Sequence, residues 1–157
     1  MTSEQKQDYT LRITQANRSE IIVIVYDIAL SYLDDAIKAY DEKNYEAFGA
    51  NSRYAGKCVG DLLEALDFNY EPAYPLMRIY VYISKQLALA PVKKDREALV
   101  VAKRLLSKLR KSFEDIAAQD DSEPLMSNTQ EVYAGLTYGR GNLNESLGGA
   151  SNRGFTV

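Results

Sequence analysis

The residue types that most often carry catalysis are nearly missing from this 157-residue chain. It contains no histidine. That removes the usual general base, the Ser-His and Cys-His nucleophile pairs, and the imidazole metal ligands. The Glu-x-x-His di-metal sites often built into four-helix bundles are excluded on the same ground. The single cysteine, Cys58, has no second thiol with which to share a zinc ion or close a disulfide, and reads as a small buried hydrophobe. Asp34-Asp35 and Asp120-Asp121 are acidic pairs of the kind found on solvated faces and linkers. Tyr138-Gly-Arg-Gly pairs two glycines without opening a helix as a phosphate loop does. Lys103, Arg104, Lys108, Arg110 and Lys111 form a basic cluster that suits a solvent-facing helix side or, less simply, contact with RNA or an acidic partner. The expectation is a binding protein with no catalysis, cofactor or metal.

Bulk properties agree with one ordinary globular domain: 46% hydrophobic residues and 26% charged. The formal net charge of -3 gives no electrostatic reason to seek nucleic acid or an anionic membrane. The first eight residues are polar and hold no signal-peptide core. The longest aliphatic run, Ile21 to Val25, falls far short of the ~20 residues that cross a bilayer. A cytoplasmic location is expected.

Four segments carry a helical period. The first spans about 18–40, with Asn17 and Glu20 spaced as a capping box and Ile22, Val25, Tyr26, Ala29, Leu33, Ala36, Ile37 and Tyr40 on one stripe. Asn44 caps a second over about 45–66, its stripe Phe48, Ala55, Val59, Leu62 and Leu66. Residues 67–75 hold two prolines and read as a connection. Pro75 suits the first turn of a third helix, with Leu76, Ile79, Tyr80, Ile83 and Leu87 facing the core and Pro91 ending it. Asp95 caps a fourth, to about 118, along Leu99, Ala102, Leu106, Leu109, Phe113 and Ile116. Short connections favour antiparallel neighbours. The expected fold is therefore all-α, an antiparallel up-down four-helix bundle over 17–118, with a short mobile N-terminal segment at 1–16. Residues 119–157 are rich in Gly, Ser, Asn and Asp and read as a flexible tail, in which Val132, Tyr133, Leu136 and Tyr138 are spaced apolar anchors.

Some helix faces exceed what a bundle core uses. In the third helix Met77, Val81, Ser84 and Ala88 repeat about 100° round from the core stripe. In the first, Ile21, Ile24, Ile28 and Tyr32 form a similar flank. In the second, Gly49, Ser52, Gly56 and Gly60 share one side. A glycine inside a helix costs about 1 kcal/mol relative to alanine, so three must serve close approach of another helix. That helix is either a neighbour in the same bundle or a guest lying in a shallow groove between the second and third helices.

The segment Tyr9-Thr-Leu-Arg-Ile13 through Tyr26-Asp27 resembles the N-terminal signature of the flagellar secretion chaperone FliS family. Tyr80-Val-Tyr82, Ala90-Pro-Val-Lys-Lys-Asp95 and Leu105-Leu-Ser-Lys-Leu-Arg are similar to later family patterns, in order. Asn17-Arg18 stands where the family commonly has Ser-Pro, and Ile28 where it has glycine. The resemblance implies a chaperone that binds the C-terminal segment of flagellin, prevents premature polymerisation and passes the client to an export gate component. It further implies that Tyr9 and Ile13 lie over part of the client site, and that Tyr26, Asp27, Tyr80 and Tyr82 are signature positions. A monomer or weak homodimer is expected. The rivals are a helical module regulating another secretion or transcription factor, and a bundle enzyme using carboxylates alone.

Overall fold

Alternation of capped polar starts with apolar stripes produces five helices in the computed structural model, which describes residues 1–126. They are α1 (Ser3–Gln15), α2 (Arg18–Asp41), α3 (Tyr45–Glu64), α4 (Ala73–Lys93) and α5 (Arg96–Ala117), and no strand occurs among the described residues. The expected caps are made. Asn17 accepts from the Glu20 N–H while the Glu20 carboxylate accepts from the Asn17 N–H, each at 2.9 Å. Asn44 accepts from Ala47 N–H and Asp95 from Ala98 N–H, both at 3.1 Å.

Helices α2 to α5 form a ring in which α2 packs on α3 and α5, and α4 on α3 and, less extensively, α5. Tyr26, Leu33, Phe48, Val59, Ile83, Leu87, Leu99 and Leu106 are fully buried in one core. At one end of that core the Tyr26 and Tyr80 hydroxyls hydrogen-bond to each other, and the Phe113 ring lies 5.5 Å from that of Tyr26. Burial, and after it the bond to Tyr80, holds the Tyr26 phenol far above its ordinary range, and burial raises Tyr80 as well. Both tyrosines stay neutral and satisfy each other, as buried hydroxyls must.

The segment before Arg18, outside the four periodic stretches, is itself a helix. A Thr2–Gln5 capping box starts α1, and none of its residues is buried. It lacks an apolar stripe, which is why periodicity misses it. It is held on α2 largely by polar contacts. The Tyr9 hydroxyl lies 2.9 Å from Ser31 Oγ and donates to the Asp27 carbonyl at 3.4 Å. Arg12 Nη2 donates to Asp27 Oδ2 at 2.9 Å, and Arg110 Nε of α5 to Asp27 Oδ1 at 2.5 Å. Asp27 thus ties three helices together.

Two local expectations are corrected. Pro91 does not end α4 but sits in its last turn, where the hydrogen bond it cannot donate is one of few remaining. The helix stops at Lys94, whose left-handed φ of 51° lets Asp95 N–H donate to Ala90 O at 3.0 Å. Ile116 is 45% exposed rather than part of the core. Beyond α5, Asn17 Nδ2 donates to the Asp120 carbonyl at 3.1 Å and Leu125 N–H to the Ala16 carbonyl at 3.2 Å. Residues Met1–Leu125 make one unit. The anchors Val132, Tyr133, Leu136 and Tyr138 lie outside the described residues.

The tyrosine pair gives a double-mutant test. Tyr26→Phe strands the Tyr80 hydroxyl and is expected to lower stability by about 1–3 kcal/mol. Tyr26→Phe with Tyr80→Phe should lose clearly less than the sum of the single changes, as read by urea unfolding. Burial, and next the charge of Asp61, pushes the Cys58 thiol up to about 11. At pH 8 it should therefore react with a disulfide reagent many times more slowly than in the urea-unfolded chain, with reactivity rising as pH is raised.

Candidate functional site

Where α3 meets α4, the side chains on α3 shrink to nothing. Gly49, Gly56 and Gly60 follow one another at helical spacing along the edge that faces α4. A shallow, mostly apolar groove of ≈ 380 Å³ opens there, with Ser52, Gly56, Ser84, Leu87 and Ala88 as its floor and Arg53 and Lys57 on its α3 side. Four of these are among the residues expected to seat a guest: Ser52, Gly56, Ser84 and Ala88. Ser52 is fully buried, its hydroxyl donating to Phe48 O at 2.7 Å.

The three glycines differ in what surrounds them. A Cβ on Gly49 would stand 3.6 Å from Pro91 Cβ and 3.3 Å from Arg53 Nη1. Gly49 is buried with Pro91 of α4 beside it, so α4 closes the groove at that end. A Cβ on Gly56 would meet only Leu87 Cβ at 4.0 Å, and one on Gly60 would meet nothing within 4 Å. No neighbour in the bundle requires glycine at either position. On α4, Val81 is 52% exposed and Met77 half-buried. Their spacing extends the apolar edge through Ser84 and Ala88.

The α2 flank belongs to a different surface. Ile24 is buried while Ile21 and Ile28 are half-buried. Ile24 lines a cleft with Val23, Arg12 and Gln15 of α1, and Arg110 and Glu114 of α5. Tyr9 and Ile13 are both half-buried on α1. The sequence grouped all of these as one partner-facing set; the fold separates them into an α3–α4 groove and an α2 face occupied by α1. Among the signature positions, Tyr26, Tyr80 and Asp27 make the buried hydroxyl pair and the arginine clamp, while Tyr82 is exposed. Tyr32 stacks on Tyr54 at 5.1 Å.

Sequence reasoning passed over Arg12 and Arg110 as the partners of Asp27, since only folding brings residues so far apart in the chain to one carboxylate. It also passed over a second apolar cavity of ≈ 290 Å³ at the bundle end, lined by Ile22, Leu62, Leu66, Leu76, Tyr80 and Phe113. Each of those residues was legible as core; that four helix ends leave a hollow between them was not. Among the described residues no three acidic or thiol side chains gather as metal ligands, and no helix is long and apolar enough to cross a membrane.

No curated protein matches the chain. Among protein families, the one described as flagellar protein FliS matches residues 1–120. That span takes in all five helices, the Asp27 clamp, the tyrosine pair and the groove between α3 and α4. The chain belongs to the flagellar protein FliS family and has its general role, that of a chaperone in flagellar biogenesis.

Proposed function

We propose that the chain is a cytoplasmic export chaperone that holds the C-terminal segment of flagellin as a helix against its bundle, keeps it from polymerising, and releases it at an export gate component. The observation that carries this reading is the open edge at Gly56 and Gly60. Two helix-interior glycines each cost about 1 kcal/mol, yet among the described residues a Cβ would meet only Leu87 Cβ, at 4.0 Å from the Gly56 position, and nothing within 4 Å at Gly60. A guest helix laid across them approaches backbone to backbone, with Val81, Met77 and Ala88 giving apolar contact, the helix-in-groove mode of recognition. A client segment that is disordered alone and folds on contact needs only such a surface and helical spacing.

The α2 flank supplies the second part of the proposal. Ile21, Ile24 and Ile28 share one side of α2, and α1 lies beside Ile24, fastened by half-buried polar contacts from Tyr9 and Arg12 to Asp27 and Ser31. A longer client could displace α1 and bury that face with Tyr9 and Ile13 released. The same groove would serve a helical module acting on another secretion or transcription factor; the client alone distinguishes the two.

The decisive measurement is fluorescence anisotropy of the labelled flagellin C-terminal segment from the same organism. Binding at micromolar concentration or tighter is expected, and no binding at that level overturns the flagellin assignment. Gly56→Leu should leave helical circular dichroism intact, because a Cβ fits there, while weakening binding by more than about ten-fold as the leucine fills the groove. Gly60→Ala should raise stability by up to about 1 kcal/mol in urea unfolding. A loss of stability there would mean the glycine serves the bundle itself.

A further inference from the structure

The groove has charged borders that its apolar floor does not explain. Helix α4 contains no aspartate or glutamate, in a chain whose net charge is -3. Arg78 and Lys85 are two turns apart, either side of Val81 on the same ridge, and both are exposed. Across the groove, Arg53 and Lys57 are one turn apart and line its α3 side. None of these four cations is ion-paired with any described residue. Elsewhere Arg12 and Arg110 pair with Asp27, Arg96 with Asp41 and Lys103 with Asp34, while other exposed cations, Lys108 and Lys111 among them, have no described ion-pair partner either. Lys57 lies only over the Tyr54 ring, at 5.5 Å, and the Arg53 guanidinium reaches back over Gly49. Of the acids on that side of α3, Glu46 and Glu64 stand two turns beyond Arg53 and Lys57 toward its ends, and Asp61, one turn from Lys57, forms no ion pair with it. The middle of the groove is therefore an apolar trough with positive charge on both banks.

We infer that the groove selects an acidic amphipathic helix, one whose apolar stripe is flanked on both sides by aspartate or glutamate. This deepens the proposed function and rests on its assignment of the α3–α4 groove as the client's seat. A guest helix seated on Gly56 and Gly60 turns its flanking positions toward Arg53 and Lys57 on one side and Arg78 and Lys85 on the other. Opposite charge there sets orientation and register, and like charge is rejected. The floor fits a helix better than a nucleic-acid strand, since it is apolar and made of small residues, with no aromatic among those lining it on which a base could stack.

The test uses the full chain and two helical peptides of about 20 residues, sharing one Ala/Leu stripe and flanked either by glutamate or by lysine. Titrations are run at about 50 mM and about 500 mM NaCl, where screening differs strongly. The glutamate peptide should bind about ten-fold tighter at low salt, with the preference shrinking at high salt. Arg78→Glu combined with Lys85→Glu should remove or reverse it while circular dichroism stays unchanged. Equal affinity for the two peptides, no binding of either, or a preference that survives the double reversal overturns the inference. So does tighter binding of a polyuridine strand of similar length, which would mean that the banks track phosphates. If the flagellin segment fails to bind while the glutamate peptide is selected, the client assignment falls and the acidic-helix inference stands. If the flagellin segment binds in a Gly56-sensitive way but the two peptides bind alike, the groove stands and charge selection falls.

Discussion

A helix in a four-membered ring can turn only part of its circumference to the shared core, a stripe somewhat over 100° wide. Any apolar surface beyond that must be covered by something else or left in water. Both α2 and α4 exceed the allowance, and the remaining features of the structure follow from how each excess is handled. On α2 the surplus is the Ile21–Ile24–Ile28 flank, where the chain sets α1 beside Ile24 and packs Ile28 against the core. On α4 the surplus runs through Met77, Val81 and Ala88, and among the described residues Val81 and Ala88 are left exposed.

The two solutions use different chemistry. The cover over α2 is polar in its fastenings: the Tyr9 hydroxyl on Ser31 and Asp27, Arg12 on Asp27. Such contacts specify position more than they add stability, since each exchanges one good solvated state for another. The open edge on α4 is matched by a loss of side chains on α3. Gly49 lets α4 come close at Pro91, and Gly56 and Gly60 carry the same narrow profile onward to where nothing approaches. One row of glycines is thus covered by α4 at one end and open at the other.

The bundle tolerates these open surfaces because its core is complete without them. Tyr26, Phe48, Leu33, Ile83, Leu99 and Leu106 are fully buried, and among the described residues no buried side-chain polar atom lacks a partner. Among the described residues the hydroxyl pair of Tyr26 and Tyr80 is a polar contact placed deep between helices, linking α2 to α4 across the ring. A groove formed on a frame of this kind is preorganised, so a client bears the ordering cost rather than the chaperone.

Much of this was settled by the order of residues alone. Helix type, the caps at Asn17, Asn44 and Asp95, and the main core stripes follow from local chemistry and a 3.6-residue period, both of which act within a few residues of chain. The glycine row and the Val81 edge were visible for the same reason, and so was the near absence of catalytic residue types. Three things required the tertiary structure. Helix α1 has no apolar stripe, so only its docking on α2 accounts for it. Pro91 stays inside α4 because it falls in the last turn, and Lys94 provides the true stop. And the different fates of Gly49, Gly56 and Gly60 depend on which atoms of a second helix face each one, a distance between chain segments that periodicity along one helix does not contain.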